Sequence, residues 1–109
     1  MAYDELLAGR IRANLSGHPG LDEKKMFGGV GYLLNDNMAC GVHKDYLIVR
    51  VGLAQYEDAL NQPHTREFDM TGRPMKGWIM VAAEGCASED DLGKWIQKGV
   101  FFAQTLPPK

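Results

Sequence analysis

Residues 29–51 alternate apolar with small or polar side chains at a period of two, and two turn signals interrupt the run. That pattern leaves the chain little freedom. If Asn35-Asp36-Asn37 forms a three-residue hairpin loop, Leu34 pairs with Met38, Leu33 with Ala39 and Tyr32 with Cys40. Further along, Gly31 meets Gly41, Val30 meets Val42 and Gly29 meets His43. If Lys44-Asp45 is a two-residue turn, Val42 also meets Leu47, Cys40 meets Val49 and Met38 meets Val51. Val30, Tyr32, Leu34, Cys40, Val42, Leu47 and Val49 then share one apolar face, and a one-residue slip would scramble it. The other face is thin, with Gly29, Gly31, Ala39 and Gly41 beside His43, Tyr46, Ile48 and Arg50.

The same glycines invite a second reading. Lys24-Lys25-Met26-Phe27-Gly28-Gly29-Val30-Gly31 has the look of a phosphate loop. A dinucleotide fingerprint needs GxGxxG where a strand turns into a helix. Here Leu34 stands where the third glycine belongs, and Asn35-Asp36-Asn37 opens a turn instead of a helix. A P-loop would need Gly-Lys-Ser/Thr, which the chain lacks. The glycines belong to a strand.

Helical spacing frames this centre. Tyr3, Leu6, Leu7, Ile11 and Leu15 predict a helix over residues 2–16, stopped at Ser16-Gly17-His18-Pro19-Gly20. A strand-rich stretch follows from about 24 to 51, and a short helix spans Leu53 to Leu60. Strands are predicted near 65–69 and 75–82, joined by Thr71-Gly72-Arg73-Pro74, with Met75, Ile79 and Val81 toward the helices. Ser88 opens a third helix with Asp91 three residues on, and its stripe is Leu92, Trp95, Ile96, Gly99 and Ala103. The order α-βββ-α-ββ-α predicts an α+β domain of two layers. Its antiparallel sheet has about five strands, with helices mainly on one face.

A chain of 109 residues fits one domain, 1–109, large enough to bury a core without staples. The formal net charge of −2 argues against direct nucleic-acid binding. No apolar run suggests a membrane span or leader, and Cys40 and Cys86 show no metal-type spacing, so a reduced, cytoplasmic protein is expected. No metal or cofactor is expected either. Cys40-Gly41-Val42-His43 resembles a CxxH pair, but on a strand those side chains point to opposite faces. The same geometry separates Cys40 from the nearest base. Cys86 stands near a helix start, where the dipole would lower its pKa, yet a plain loop thiol is the simpler reading. No catalytic residue is assigned.

Two surfaces remain as candidates. The outer sheet face, with Tyr46, Ile48, Arg50, Lys76 and Trp78, is a candidate contact for a protein partner or a second copy. A pocket between sheet and helices would instead take a small anion, with Arg50 or Arg73 as its anchor.

The segments Lys24 to Tyr32, Asn37 to Val42, Leu47 to Val51, Gly72 to Trp78 and the terminal Leu106-Pro107-Pro108-Lys109 together resemble the TfoX N-terminal domain family. The resemblance runs through nearly the whole chain in order. It implies a two-layer α+β fold and a regulatory role without catalytic residues. Full-length TfoX-like regulators act with the cyclic-AMP receptor protein on competence promoters and carry a second domain. Because this sequence stops at Lys109, the stand-alone form of the domain is expected.

Overall fold

The structure, a computed structural model, describes residues 3–26, 29–69 and 75–107. The chain runs α1 (Glu5–Leu15), β1 (Leu21–Met26), β2 (Gly29–Leu34), β3 (Asn37–His43), β4 (Tyr46–Arg50), α2 (Leu53–Leu60), β5 (Thr65–Glu67), β6 (Trp78–Val81) and α3 (Glu89–Gln104). The strands form one antiparallel sheet in the order β1-β2-β3-β4-β6-β5. This is the expected α+β architecture with six strands among the described residues, one more than the sequence suggested. The additional strand is β1, which folds back on β2 with Leu21 opposite Leu34 and Lys25 opposite Val30. Its sequence, Leu-Asp-Glu-Lys-Lys-Met, hides it from a search for apolar alternation because it is a charged edge strand. Arg12 on α1 ties it down, with Nε donating to Glu23 Oε1 at 2.8 Å and Nη2 to Oε2 at 3.0 Å. That fork holds the Glu23 carboxyl below the usual carboxylate range.

Most of the anticipated register forms. Tyr32 faces Cys40, Gly31 faces Gly41, Val30 faces Val42 and Gly29 faces His43, while Val42 meets Leu47 and Cys40 meets Val49. The β2–β3 turn differs. Asn35 and Asp36 both take positive φ, 53° and 67°, so the connection is a two-residue turn of the primed kind. Leu34 therefore pairs with Asn37 and Leu33 with Met38, and a shift beside Tyr32 leaves Ala39 without an opposite residue. The bulge exchanges two side chains. Ala39 joins the helix-side core at 0% exposure, and Met38 goes to the other face, toward Gly41.

Helix ends follow their capping chemistry. Asp4 caps α1 by accepting from the N–H groups of Leu6 and Leu7, so that helix begins later than residue 2. Leu6 is 83% exposed, against expectation, and Ala8 takes its place in the buried stripe with Leu7, Ile11 and Leu15. α2 has the expected bounds. In α3, Ser88 Oγ accepts from the N–H of Asp91 at 3.1 Å, and Leu92, Trp95, Ile96, Gly99 and Ala103 are buried together with Val100. β5 and β6 are shorter than the predicted strands, and the Thr71–Pro74 turn lies outside the described residues.

The core forms between the helices and one face of the sheet. Val30, Tyr32, Leu34, Val42, Leu47, Val49, Ile79 and Val81 meet Ile11, Leu15, Leu92, Ile96 and Val100 there. Tyr32 keeps its hydroxyl satisfied in this core by donating to Ala8 O at 2.9 Å. Ala59 brings α2 into the same cluster.

Candidate functional site

The far face of the sheet is less open than alternation alone suggests. Ile48 stands opposite Gly41 and Met80, and it is 2% exposed; Met80 is 7% exposed. Gly41 lets its neighbours approach: a Cβ there would come within 2.9 Å of the Met38 methyl and 3.2 Å of the Gly31 Cα. Met38 thus fills part of the strip that the glycines leave. Tyr46, Arg50 and Trp78 are half-buried around Ile48, and Lys76 is exposed in the turn before β6. Of the five residues expected on an outer contact surface, four reach solvent and Ile48 lies beneath them.

Arg50 ends β4 directly opposite Trp78 on β6. Its guanidinium carbon stands 5.1 Å from the Trp78 ring centroid and 5.3 Å from that of Phe102 on α3. Two rings therefore hold one cation, and Phe68 extends the row with its ring 6.2 Å from Trp78 at 46°. A second cation–ring pair lies toward the other end of β4: the Arg66 guanidinium carbon is 5.9 Å from the Tyr46 ring. Among the described residues the ion pairs are Arg10–Glu89 and Arg12–Glu23, so Arg50 has no carboxylate partner there. A guanidinium fixed in this way loses little rotamer freedom when its N–H edge meets an acceptor.

Arg73, the other expected anion anchor, lies outside the described residues. Arg50 does not itself line the cleft that lies beside it. That cleft, about 700 Å³, opens between α2 and α3, and Phe102 is the wall it shares with the Arg50 stack. Val51, Ala54, Lys94, Lys98 and Phe101 also line it. Sequence reasoning missed Lys94, Lys98 and Phe102 as site residues. The two lysines are four apart on a helix and share a face, a signal present in the sequence. The role of Phe102 depends on how α3 is rotated against the sheet, which no local pattern fixes.

The thiols are poor nucleophiles. Cys40 is in the core at 0% exposure, and burial pushes its pKa up to about 12. Burial also raises the Cys86 thiol, outweighing the nearby Arg10. Cys40 points to the core and His43 pairs with Gly29 and Tyr46 at the strand end, half-buried, with its Nδ1 buried and without a hydrogen-bond partner among the described residues. Among the described residues no three His, Cys, Asp or Glu side chains gather as metal ligands, and no helix there is long and apolar enough to cross a membrane.

These thiols make a prediction about alkaline pH. A raised folded pKa means the folded state holds the Cys40 proton after the unfolded chain has released it. The stabilisation is complete below the unfolded value near 9.0 and is lost as pH rises from there toward about 12. Folded protein is expected to resist an aromatic disulfide reagent at pH 8 and to react at both thiols once unfolded in denaturant. Prompt native-state reaction at Cys40 would contradict its burial.

Fold and surface together define a small two-layer α+β domain, with one sheet face closed by helices and a ring-stacked arginine at the sheet's end. The family model for the TfoX N-terminal domain matches residues 13–103, and the chain belongs to that family of regulatory, competence-regulator-like domains. No curated protein and no solved structure matches the chain.

Proposed function

We propose that this chain is a non-enzymatic, cytoplasmic interaction module, acting in transcriptional regulation of the competence type. Its contact surface is the outer face of the sheet, where Tyr46, Arg50 and Trp78 surround Ile48 and Lys76 stands in the turn before β6, and its partner is an acidic protein surface. The observation that supports this reading most is Arg50 itself. An arginine stacked between Trp78 and Phe102, with no carboxylate partner among the described residues, has the composition and pre-organisation of a contact hot spot. Membership of a regulatory family supports the same reading. Ile48 acts from below, as packing under the surface and not as a contact.

The cyclic-AMP receptor protein, with which TfoX-like regulators act, is the first partner to test. In a binding titration with that protein, Arg50→Ala is expected to weaken association about tenfold or more, the effect of removing a charge-assisted contact. Lys76→Ala would have a smaller effect and a weaker salt dependence. Both variants should retain a cooperative thermal transition. Equal binding by Arg50→Ala and the parent chain would remove the outer sheet face from the contact, and a tight second-copy association lost on Arg50→Ala would make the partner this chain itself.

A further inference from the structure

The cleft beside α3 has a chemistry different from that of the outer sheet face. On α3 its lining residues recur as neighbouring pairs one turn apart, Gly93-Lys94, Gln97-Lys98 and Phe101-Phe102, so the cleft follows one face of the helix. At 1.5 Å per residue that face runs for about 13 Å. The opposite wall is the β4–α2 link and the first turn of α2, with Val51, Gly52 and Ala54. Gly52 matters to the shape: a Cβ there would meet the Phe102 ring at 2.5 Å, and its φ of 84° suits glycine. The link therefore lies directly against the ring that closes this end of the cleft. Leu53 and Phe101, neighbours of the lining in sequence or part of it, are left 71% and 72% exposed.

A volume of about 700 Å³ falls within the range of small-molecule sites. The exposed surface of the walls is mostly apolar, and its hydrogen-bonding side chains, Gln55, Gln97 and the two lysines, are too few to replace the full hydration of a sugar or a bare inorganic anion. Lys94 and Lys98 place two ammonium groups along this apolar wall. The ion pairs among the described residues involve neither of them, and Lys98 Nζ rests 6.0 Å from the Trp95 ring centroid. Lysine stems can lie along apolar surface while their charged ends stay at the rim. The cleft thus offers an elongated apolar bed with positive charge at one border.

We propose that the α2–α3 cleft binds an amphipathic monocarboxylate, an aliphatic acyl chain of medium length ended by one carboxylate. The chain lies along Ala54, Phe101 and Phe102, and the head group meets Lys94 and Lys98. This assignment does not depend on the proposed protein contact: the two sites share only Phe102, and the head-group lysines belong to the cleft alone. It also gives the small-ligand function class a location and a chemistry, with lysines in place of the arginines that the sequence suggested.

Calorimetric titration of the full chain with decanoate, below its micelle concentration, tests the assignment. Saturable one-to-one binding is expected. Decan-1-ol, which has the chain without the charge, is expected to bind about tenfold more weakly, and acetate should not bind measurably. The double variant Lys94→Gln/Lys98→Gln is expected to lose about tenfold in decanoate affinity while leaving decanol unchanged. Ala54→Trp, a change at an exposed position, should fill the cleft and abolish both. A thermal melt on each variant confirms that it is folded. The proposal is overturned by non-saturable decanoate binding, or by a lysine double variant that binds like the parent. It is equally overturned if only anionic phospholipid vesicles bind, since the site would then read a membrane surface. Sedimentation showing a dimer dispersed by Phe101→Asp would assign the cleft to a second copy and overturn it as well.

Discussion

Ile48→Asp is expected to abolish the cooperative thermal transition of this domain, or to cost at least about 4 kcal/mol if a folded state persists. Alternation alone puts Ile48 on the side of the sheet away from the helices, where a charged substitution would normally be harmless. Its 2% exposure says otherwise. Gly41 and Met80 are its cross-strand partners, Met80 is itself 7% exposed, and the Met38 methyl lies near Gly41. An aspartate at this position would bury a carboxylate with no cation facing it from either strand partner. Against a total stability of roughly 5–15 kcal/mol for a domain of ordinary size, that loss is large. Lys76→Ala, on the exposed turn before β6, should stay within about 0.5 kcal/mol. Circular dichroism melts of the two variants decide the matter. A melting temperature for Ile48→Asp near that of the parent would mean that the far face is open to water.

Gly99→Ala should lower stability by about 2 kcal/mol, although alanine is the better helix former by about 1 kcal/mol. A Cβ at Gly99 would run into the Ala39 carbonyl oxygen, with the Ala39 carbonyl carbon at 3.0 Å and Val49 Cγ1 at 3.5 Å. The obstacle is backbone at the β3 bulge, so no side-chain rotation relieves it. Either α3 moves away from the sheet, loosening Leu92, Ile96 and Val100, or the bulge shifts and disturbs its pairing with β2. For a domain of this size the melting temperature should fall by roughly 10 °C. Gly93→Ala is the matched control on the same helix, because the nearest atom to a Cβ there is Asn14 Nδ2 at 3.8 Å. That variant should be stabilised by up to about 1 kcal/mol. If Gly99→Ala gains stability as Gly93→Ala does, the close approach of α3 to β3 is wrong.

The two glycines show where the sequence is informative and where it is not. The β2–β3–β4 register could be read because Val30, Tyr32, Cys40, Val42, Leu47 and Val49 alternate strictly with small or polar neighbours. The bulge could not. Asn35-Asp36-Asn37 suits a loop of two or three residues, and Met38 and Ala39 are both apolar, so either register keeps the pattern. What selects Ala39 for the core is α3 pressing on it at Gly99, a contact remote in sequence. β1 was obscured for another reason, since its charges suit an edge held by Arg12 rather than a buried strand. At the candidate site, the pairing of Arg50 with Trp78 follows from strand register. The burial of Ile48, the ring of Phe102 above Arg50 and the cleft beside α3 all follow from helix placement, which periodicity leaves undetermined.

Of the elements of this domain, the helix that closes the core is the last to be synthesised. β1 to β4 can pair as soon as they emerge, since each contacts its neighbour in sequence. Their apolar face, with Val30, Val42, Leu47 and Val49, still lacks Leu92, Ile96, Val100 and Ala103 at that stage. Synthesis at roughly 5–20 residues per second then leaves an incomplete, sticky meander exposed for several seconds before α3 can dock. Chaperone capture during that interval, and aggregation of chains interrupted before Glu89, are the expected consequences of this order of elements.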